Sequence, residues 1–305
     1  MWLSRFHRLP GFALLLALGA VVSLLLVGCA TLDEKQREWV FQPSKQSWRG
    51  AAAAAEGMDD AWIEFDARDG GAPVRLHALW LPQPRADAPL LLYLHGARWD
   101  VRASAPRMRR LHELGFAVLG VDYRGFGRST DVLPSEAMAY EDARAAWDWL
   151  ARAHPGVPRY VFGHSLGAAI AVALAAEVDD EAGVLLEGAF TSVPEVVGTF
   201  DWGWLPLGPL ITQRFDAAAR VQRIGSPLLV VHGSADRLIA PELGRALYER
   251  ALPPKRFVLV EGGSHHNAGA LGQAQTRQAL AALFGLGGAH EVARRRGAAA
   301  RSATL

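Results

Sequence analysis

Six short, uninterrupted apolar runs recur along the chain, at residues 90–94, 116–121, 160–162, 184–186, 228–231 and 257–260, with helical stretches between them. A strand with one wet face alternates apolar and polar residues, whereas one covered on both faces does not. These runs therefore predict a parallel sheet with helices on either side. The intervening segments fit that role. Between Ser135 and His154, the residues Ala139, Ala143, Ala146, Trp147 and Leu150 form one apolar stripe. Ser135 offers an imperfect cap, because Met138 stands where a Glu or Gln would complete a capping box, although Glu136 suits the first turn. Upstream, the alternating segments 62–66 and 74–81, joined through Asp69-Gly70-Gly71, predict an antiparallel hairpin. The expected class is α/β, with a mostly parallel central sheet.

At 305 residues, half of them apolar, the chain can bury a sizeable core as one large domain or two small ones. No internal repeat and no second boundary is visible. From 191 to 224 the alternation of strand and helix lapses into Phe200, Trp202, Trp204, Leu205, Pro206, Leu207 and Pro209, which reads as a small cap inserted into a domain of residues 59–286. Residues 29–58, in which 33–57 mix charge, tryptophan and five consecutive alanines, read as a tether able to pack in part on the domain. Residues 287–305, with Arg294-Arg295-Arg296 and Arg301, read as a basic disordered tail, either solvated or touching anionic headgroups.

The only cysteine is Cys29, which excludes an intramolecular disulfide and a cysteine-based metal cage. It closes a secretory pattern: Arg5 and Arg8, an apolar run over residues 11–27 without a charge, then Leu26-Val27-Gly28-Cys29. Two readings follow. In one, residues 1–28 are a signal peptide and Cys29 is lipidated; in the other, the run is an uncleaved membrane anchor. Without Arg5 and Arg8 the charge stands at 30 basic against 31 acidic residues, from 32 and 31 in the whole chain. That balance offers nothing to nucleic acid.

In an open α/β sheet ligands gather beyond the carboxyl ends of the strands, so the residues just after each apolar run carry the most information. There stand His95-Gly96-Ala97, Asp122-Tyr123-Arg124-Gly125, Gly163-His164-Ser165-Leu166-Gly167, His232-Gly233-Ser234-Ala235-Asp236 and Ser264-His265-His266. A Gly-x-Ser-x-Gly match alone is weak. Here it follows a strand and opens the Ala-rich stretch 168–176, the strand-turn-helix setting of a nucleophile elbow. A serine hydroxyl needs a base within hydrogen-bond reach and a carboxylate to orient that base. Ser165, Asp236 and His265 occur in the order this fold uses.

Each residue also has a plainer reading. Ser165 and Asp236 could cap helices, Asp122 is a rival acid better suited to bonding a turn, and His266 is a rival base. The backbone N–H groups of Ala97 and Leu166 are the candidate oxyanion hole. His95 and His232 suit loop packing, and no metal-ligand spacing recurs among the histidines.

These blocks, with Tyr93-Leu94 before His95-Gly96, Phe126-Gly127-Arg128-Ser129, Leu186-Glu187 and Phe190-Thr191-Ser192, resemble the α/β-hydrolase superfamily over roughly residues 62–284. Within it, the resemblance is to small-cap serine hydrolases, membrane-associated acyl hydrolases and bacterial lipoprotein forms among them. The resemblance implies acyl hydrolysis, either of small acyl esters or of protein thioesters, without a cofactor. The chain departs in having Ala97 where Asn is common, which leaves the backbone donor intact, and in doubling the histidine at 265–266.

Leu26-Val27-Gly28-Cys29 resembles the lipobox of bacterial lipoproteins, which implies a diacylglyceryl group on Cys29, a palmitate-type acyl anchor and a place in the bacterial envelope facing the periplasm. Ala30 after Cys29 favours the outer membrane. A catalytically silent hydrolase-fold protein that binds a lipid or an envelope partner is the competing class. Acyl length, alcohol and oligomeric state stay open.

Overall fold

The computed structural model describes residues 9–45, 48–68 and 70–286. Arg5, Arg8, the turn residue Asp69 and the tail 287–305 lie outside the described residues. Among the described residues, eight strands form one sheet: β1 (Asp59–Phe65), β2 (Val74–Leu81), β3 (Leu90–Leu94), β4 (Ala117–Val121), β5 (Arg159–His164), β6 (Glu181–Glu187), β7 (Leu228–Gly233) and β8 (Lys255–Val260). Their spatial order is β1-β2-β4-β3-β5-β6-β7-β8. β2 runs antiparallel to both neighbours, and the pairings from β4 to β8 are parallel, as the apolar runs predict.

The helices are α1 (Leu9–Phe41), α2 (Ala51–Ala54), α3 (Ala105–Glu113), α4 (Glu136–Ala153), α5 (Leu166–Ala175), α6 (Val193–Gly198), α7 (Pro241–Arg250), α8 (Ala268–Leu271) and α9 (Gln273–Phe284). Residues of α4, α5 and α7 share one core layer. Those of α3 and α9 share the other, across the sheet. β3, β4 and β5 are buried at every position, which is why their sequences do not alternate. Every residue of α5 is buried too, as expected of a helix apolar all round. Ser135 does cap α4, its side chain accepting from the Met138 N–H at 3.3 Å.

The segment read as a cap contains α6, a 3₁₀ turn at Gly208–Leu210 and another at Val221–Arg223. Its base is tied where the Val193 N–H donates to the Arg214 carbonyl and the Ala218 N–H to the Thr191 carbonyl.

Within the stretch read as a tether, two helical pieces form, and the first packs on the domain. Residues 29–41 belong to α1, and Ala51–Ala54 form a further helical turn. Asp33, Gln36, Arg37, Val40 and Phe41 are the covered positions of this part of α1, a 3.6-residue stripe. Three of the five are polar, so no hydrophobic periodicity announces them; they dock by hydrogen bonds. Asp33 accepts from Thr212 and Gln213, Gln36 donates to the Leu210 carbonyl at 2.8 Å, and Arg37 donates to the Leu133 and Pro134 carbonyls. Phe41 is fully buried between Phe126 and Phe215, a burial worth about 1.5–3 kcal/mol.

Candidate active site

β5 ends in a sharp turn. Ser165 has φ 56° and ψ −122°, a conformation that non-glycine residues rarely hold, at about 1–3 kcal/mol. Two glycines make the turn possible. A Cβ at Gly163 would collide with the Gly167 carbonyl, and one at Gly167 with the Leu94 carbonyl, so β5, β3 and α5 approach more closely than any side chain allows. The Ser165 N–H donates to the Glu187 carbonyl at 2.9 Å, pinning the elbow to the end of β6.

Ser165, Asp236 and His265 come together from three loops. The His265 Nε2 lies 2.9 Å from Ser165 Oγ, and its Nδ1 lies 2.8 Å from Asp236 Oδ2. An ionised carboxylate can only accept, so Nδ1 carries the proton and Nε2 is left to accept from the serine hydroxyl. Asp236 is fixed by its other oxygen, Oδ1, which accepts from the Leu238 and Ile239 N–H groups at 2.9 Å each. Burial alone would raise the Asp236 carboxyl. The nearby His232 imidazole, with Nε2 3.5 Å from Oδ2, and the hydrogen bonds from His265 and the Ile239 N–H outweigh it and hold the group well below the usual carboxylate range.

The rival residues are engaged elsewhere. Asp122 is buried, accepts from the Val101 N–H at 2.6 Å and faces His77 Nδ1 at 3.2 Å. His266 is exposed, with its ring edge-on to His265. His95 Nδ1 donates to the Gly96 carbonyl at 2.7 Å and His232 Nε2 to the Ile239 carbonyl at 3.0 Å.

Leu166 opens α5, where an N–H has no partner within the helix. A Cβ at Gly96 would stand 3.0 Å from that of Ser165, so glycine brings the loop that carries Ala97 against the elbow. Among the described residues, no group of His, Cys, Asp and Glu is arranged to hold a metal ion.

One neighbour of the site was not among the sequence candidates. Arg107 on α3 donates from Nε to Glu187 Oε1 at 3.0 Å and from Nη2 to the His266 carbonyl at 3.3 Å. The same Nη2 stands 3.3 Å from His164 Nε2, which in turn lies 3.1 Å from the His265 carbonyl. Burial, reinforced by the Arg107 charge, keeps the His164 imidazole well below its ordinary pKa. The cluster holds the backbone of the 264–267 loop from beneath. Glu187 stands at a strand end and was visible; Arg107 sits in the basic run Arg107-Met108-Arg109-Arg110 and has no local signal.

A central sheet of this order, with a serine on a strained turn between strand and helix, is that of the α/β hydrolases, and the chain belongs to this superfamily. It is a hydrolase. The family model described as serine aminopeptidase, S33, matches residues 85–215. An uncharacterized protein of Mycobacterium tuberculosis is 33% identical over 252 residues, covering 81% of this chain and 87% of its own. The lysophosphatidylserine lipase ABHD12 of Danio rerio is 29% identical over 214 residues, 64% of this chain and 53% of its own, so the chain spans about half of that relative. Among solved structures, the Pyrococcus furiosus esterase Pf2001 shares the fold with a TM-score of 0.62 at 19% identity, over 79% of this chain and 98% of that one.

Proposed function

We propose that the chain is a serine hydrolase of carboxylic esters, with Ser165 as nucleophile, His265 as general base and Asp236 as the acid that orients it. The observation that carries this reading is the chain of two contacts, Ser165 Oγ to His265 Nε2 at 2.9 Å and His265 Nδ1 to Asp236 Oδ2 at 2.8 Å. His265 takes the hydroxyl proton as Ser165 Oγ bonds to the ester carbonyl carbon. The carbonyl oxygen, now anionic, receives the Ala97 and Leu166 N–H groups. The C–O bond to the alcohol then breaks, the alcohol leaves with the proton from His265, and an acyl-serine remains. Water, deprotonated by the same imidazole, releases the carboxylic acid and restores Ser165.

The anchor belongs to this reading. Cys29 is exposed on α1, and the cap that α1 touches exposes Trp202, Trp204, Leu205 and Leu210. A lipid on Cys29 would hold the protein at an envelope membrane, periplasmic side, with this apolar rim toward the bilayer. The relative named as a lysophosphatidylserine lipase makes single-chain acyl lipids reasonable first substrates.

The test is turnover of a p-nitrophenyl ester series from C2 to C16 by the protein and by Ser165→Ala, with fluorophosphonate labelling alongside. Turnover and labelling that vanish in the folded Ser165→Ala variant support the assignment; turnover that persists defeats it. Acyl-thioester peptides cleaved far faster than oxygen esters would move the substrate to thioesters. Loss of membrane retention in Cys29→Ser checks the anchor.

A further inference from the structure

We propose that the end of α1 is a positioning element of the active site: Phe41 and Gln42 hold the loop 96–99 in the shape that presents the Ala97 N–H to the reacting carbonyl. The inference rests on the oxyanion role given to Ala97 above.

Two hydrogen bonds place the end of α1 on that loop, and a relay of rings reaches its other side. The Arg98 N–H, one residue beyond Ala97, donates to the Phe41 carbonyl at 3.0 Å. The Arg98 Nε donates to Gln42 Oε1 at 2.5 Å. On the other side of Ala97, the buried Phe41 ring packs on Phe126, whose ring meets that of His95 with centroids 4.9 Å apart. The loop is thus gripped at residue 95 and at residue 98, with Gly96 and Ala97 between.

Backbone geometry shows why a grip is needed. Among the described residues, five non-glycine residues have positive φ: Gln42, Arg98, Trp99, Ser165 and Phe215. One is the nucleophile. The other four lie at this junction, since Phe215 packs edge-on against Phe41. Left-handed conformations at non-glycine residues persist where surrounding contacts hold them, and at Arg98 the contacts come from α1. Asp33, Gln36 and Arg37 fix the helix on the cap and the 133–134 loop, so Phe41 is delivered from a seated element.

The role differs from a merely structural one in what it predicts. A displaced oxyanion donor weakens the tetrahedral state and leaves ground-state binding alone.

The experiment uses the full chain in detergent and the variants Phe41→Ala, Phe41→Leu, Gln42→Ala and Gln42→Glu. It measures kcat, KM, thermal midpoint and the inhibition constant of an alkyl trifluoromethyl ketone, which forms a tetrahedral adduct on serine. In Phe41→Ala, kcat is expected to fall about 10- to 100-fold with KM within about twofold, and inhibitor affinity to fall in parallel. Gln42→Ala should lose roughly threefold to tenfold in both, and Gln42→Glu, which keeps the acceptor, should recover them. If Phe41→Ala does not fold, Phe41→Leu and the Gln42 pair carry the test. Unchanged kcat and inhibitor affinity in the folded variants overturn the proposal, as does a loss confined to KM. Failure of the triad reading is separate: it appears as turnover retained by Ser165→Ala.

Discussion

Gly188 borders the ring of His265 so closely that a Cβ at residue 188 would stand 3.1 Å from Cε1 and 3.2 Å from Nδ1. The glycine also has φ +62°, and its N–H donates to the Val231 carbonyl at 3.1 Å. It fits the imidazole between the ends of β6 and β7. Replacing Gly188 with Ala should push the ring off the line joining Asp236 and Ser165. An expected fall in kcat of about 100-fold, with KM little changed, is checked by steady-state kinetics on a short-chain ester. Wild-type kcat would show that the ring does not depend on this space.

Asp236→Asn separates the two duties of that side chain. The amide oxygen can still accept from the Leu238 and Ile239 N–H groups, so the turn should persist. The NH₂ facing His265 Nδ1 would favour the wrong tautomer, and kcat should fall about 10⁴-fold with a nearly unchanged thermal midpoint. A drop under tenfold would remove Asp236 from the proposed triad.

Arg107 and Glu187 form a buried pair, with side chains 13% and 5% exposed. Arg107→Met leaves Glu187 without its cation and should destabilise the fold by about 3–5 kcal/mol. Adding Glu187→Met should recover most of that loss. Urea denaturation of the two single variants and the double variant reads the coupling; additive losses would mean that the pair is not coupled.

Stability should fall on acidification below about pH 6.5. Burial depresses the imidazoles of His95 and His164, so the unfolded chain takes up protons there that the folded chain does not. Each contributes a slope of up to about 1.4 kcal/mol per pH unit in that window. His77 opposes them. Burial lowers it, but bonds to Asp122 and Asp60 raise it on balance, so its contribution is present below pH 6.5 and is lost as pH rises through its folded value. Unfolding free energies from pH 8 to pH 5 give the net slope, and His164→Gln should flatten it. An unaltered slope would deny His164 its part.

The sheet was legible because its strands are buried on both faces, which leaves runs such as Leu90–Leu94 without a polar residue. Ser165 and Asp236 stood out as candidates for a related reason: each follows such a run, where chain reversal exposes a side chain at the strand end. The choice between His265 and His266 could not be read in one dimension, because neighbouring residues share every local signal and only the direction of the ring separates them. Arg107 was hidden by distance, its partner Glu187 being 80 residues away. The docking stripe of α1 was hidden by chemistry, since Asp33, Gln36 and Arg37 pack through hydrogen bonds that no hydropathy pattern records.

From Cys29 to Phe41 runs one unbroken helix of twelve steps, about 18 Å at 1.5 Å each. If Cys29 is the point of attachment, the catalytic mouth is mounted on a stiff arm of fixed length rather than on a leash. Its working radius is then short and its tilt constrained. Molecules lying in or just above the nearest leaflet fall inside that radius, while solutes elsewhere in the compartment have to be carried to it, so mechanical address narrows the substrate pool before any pocket does.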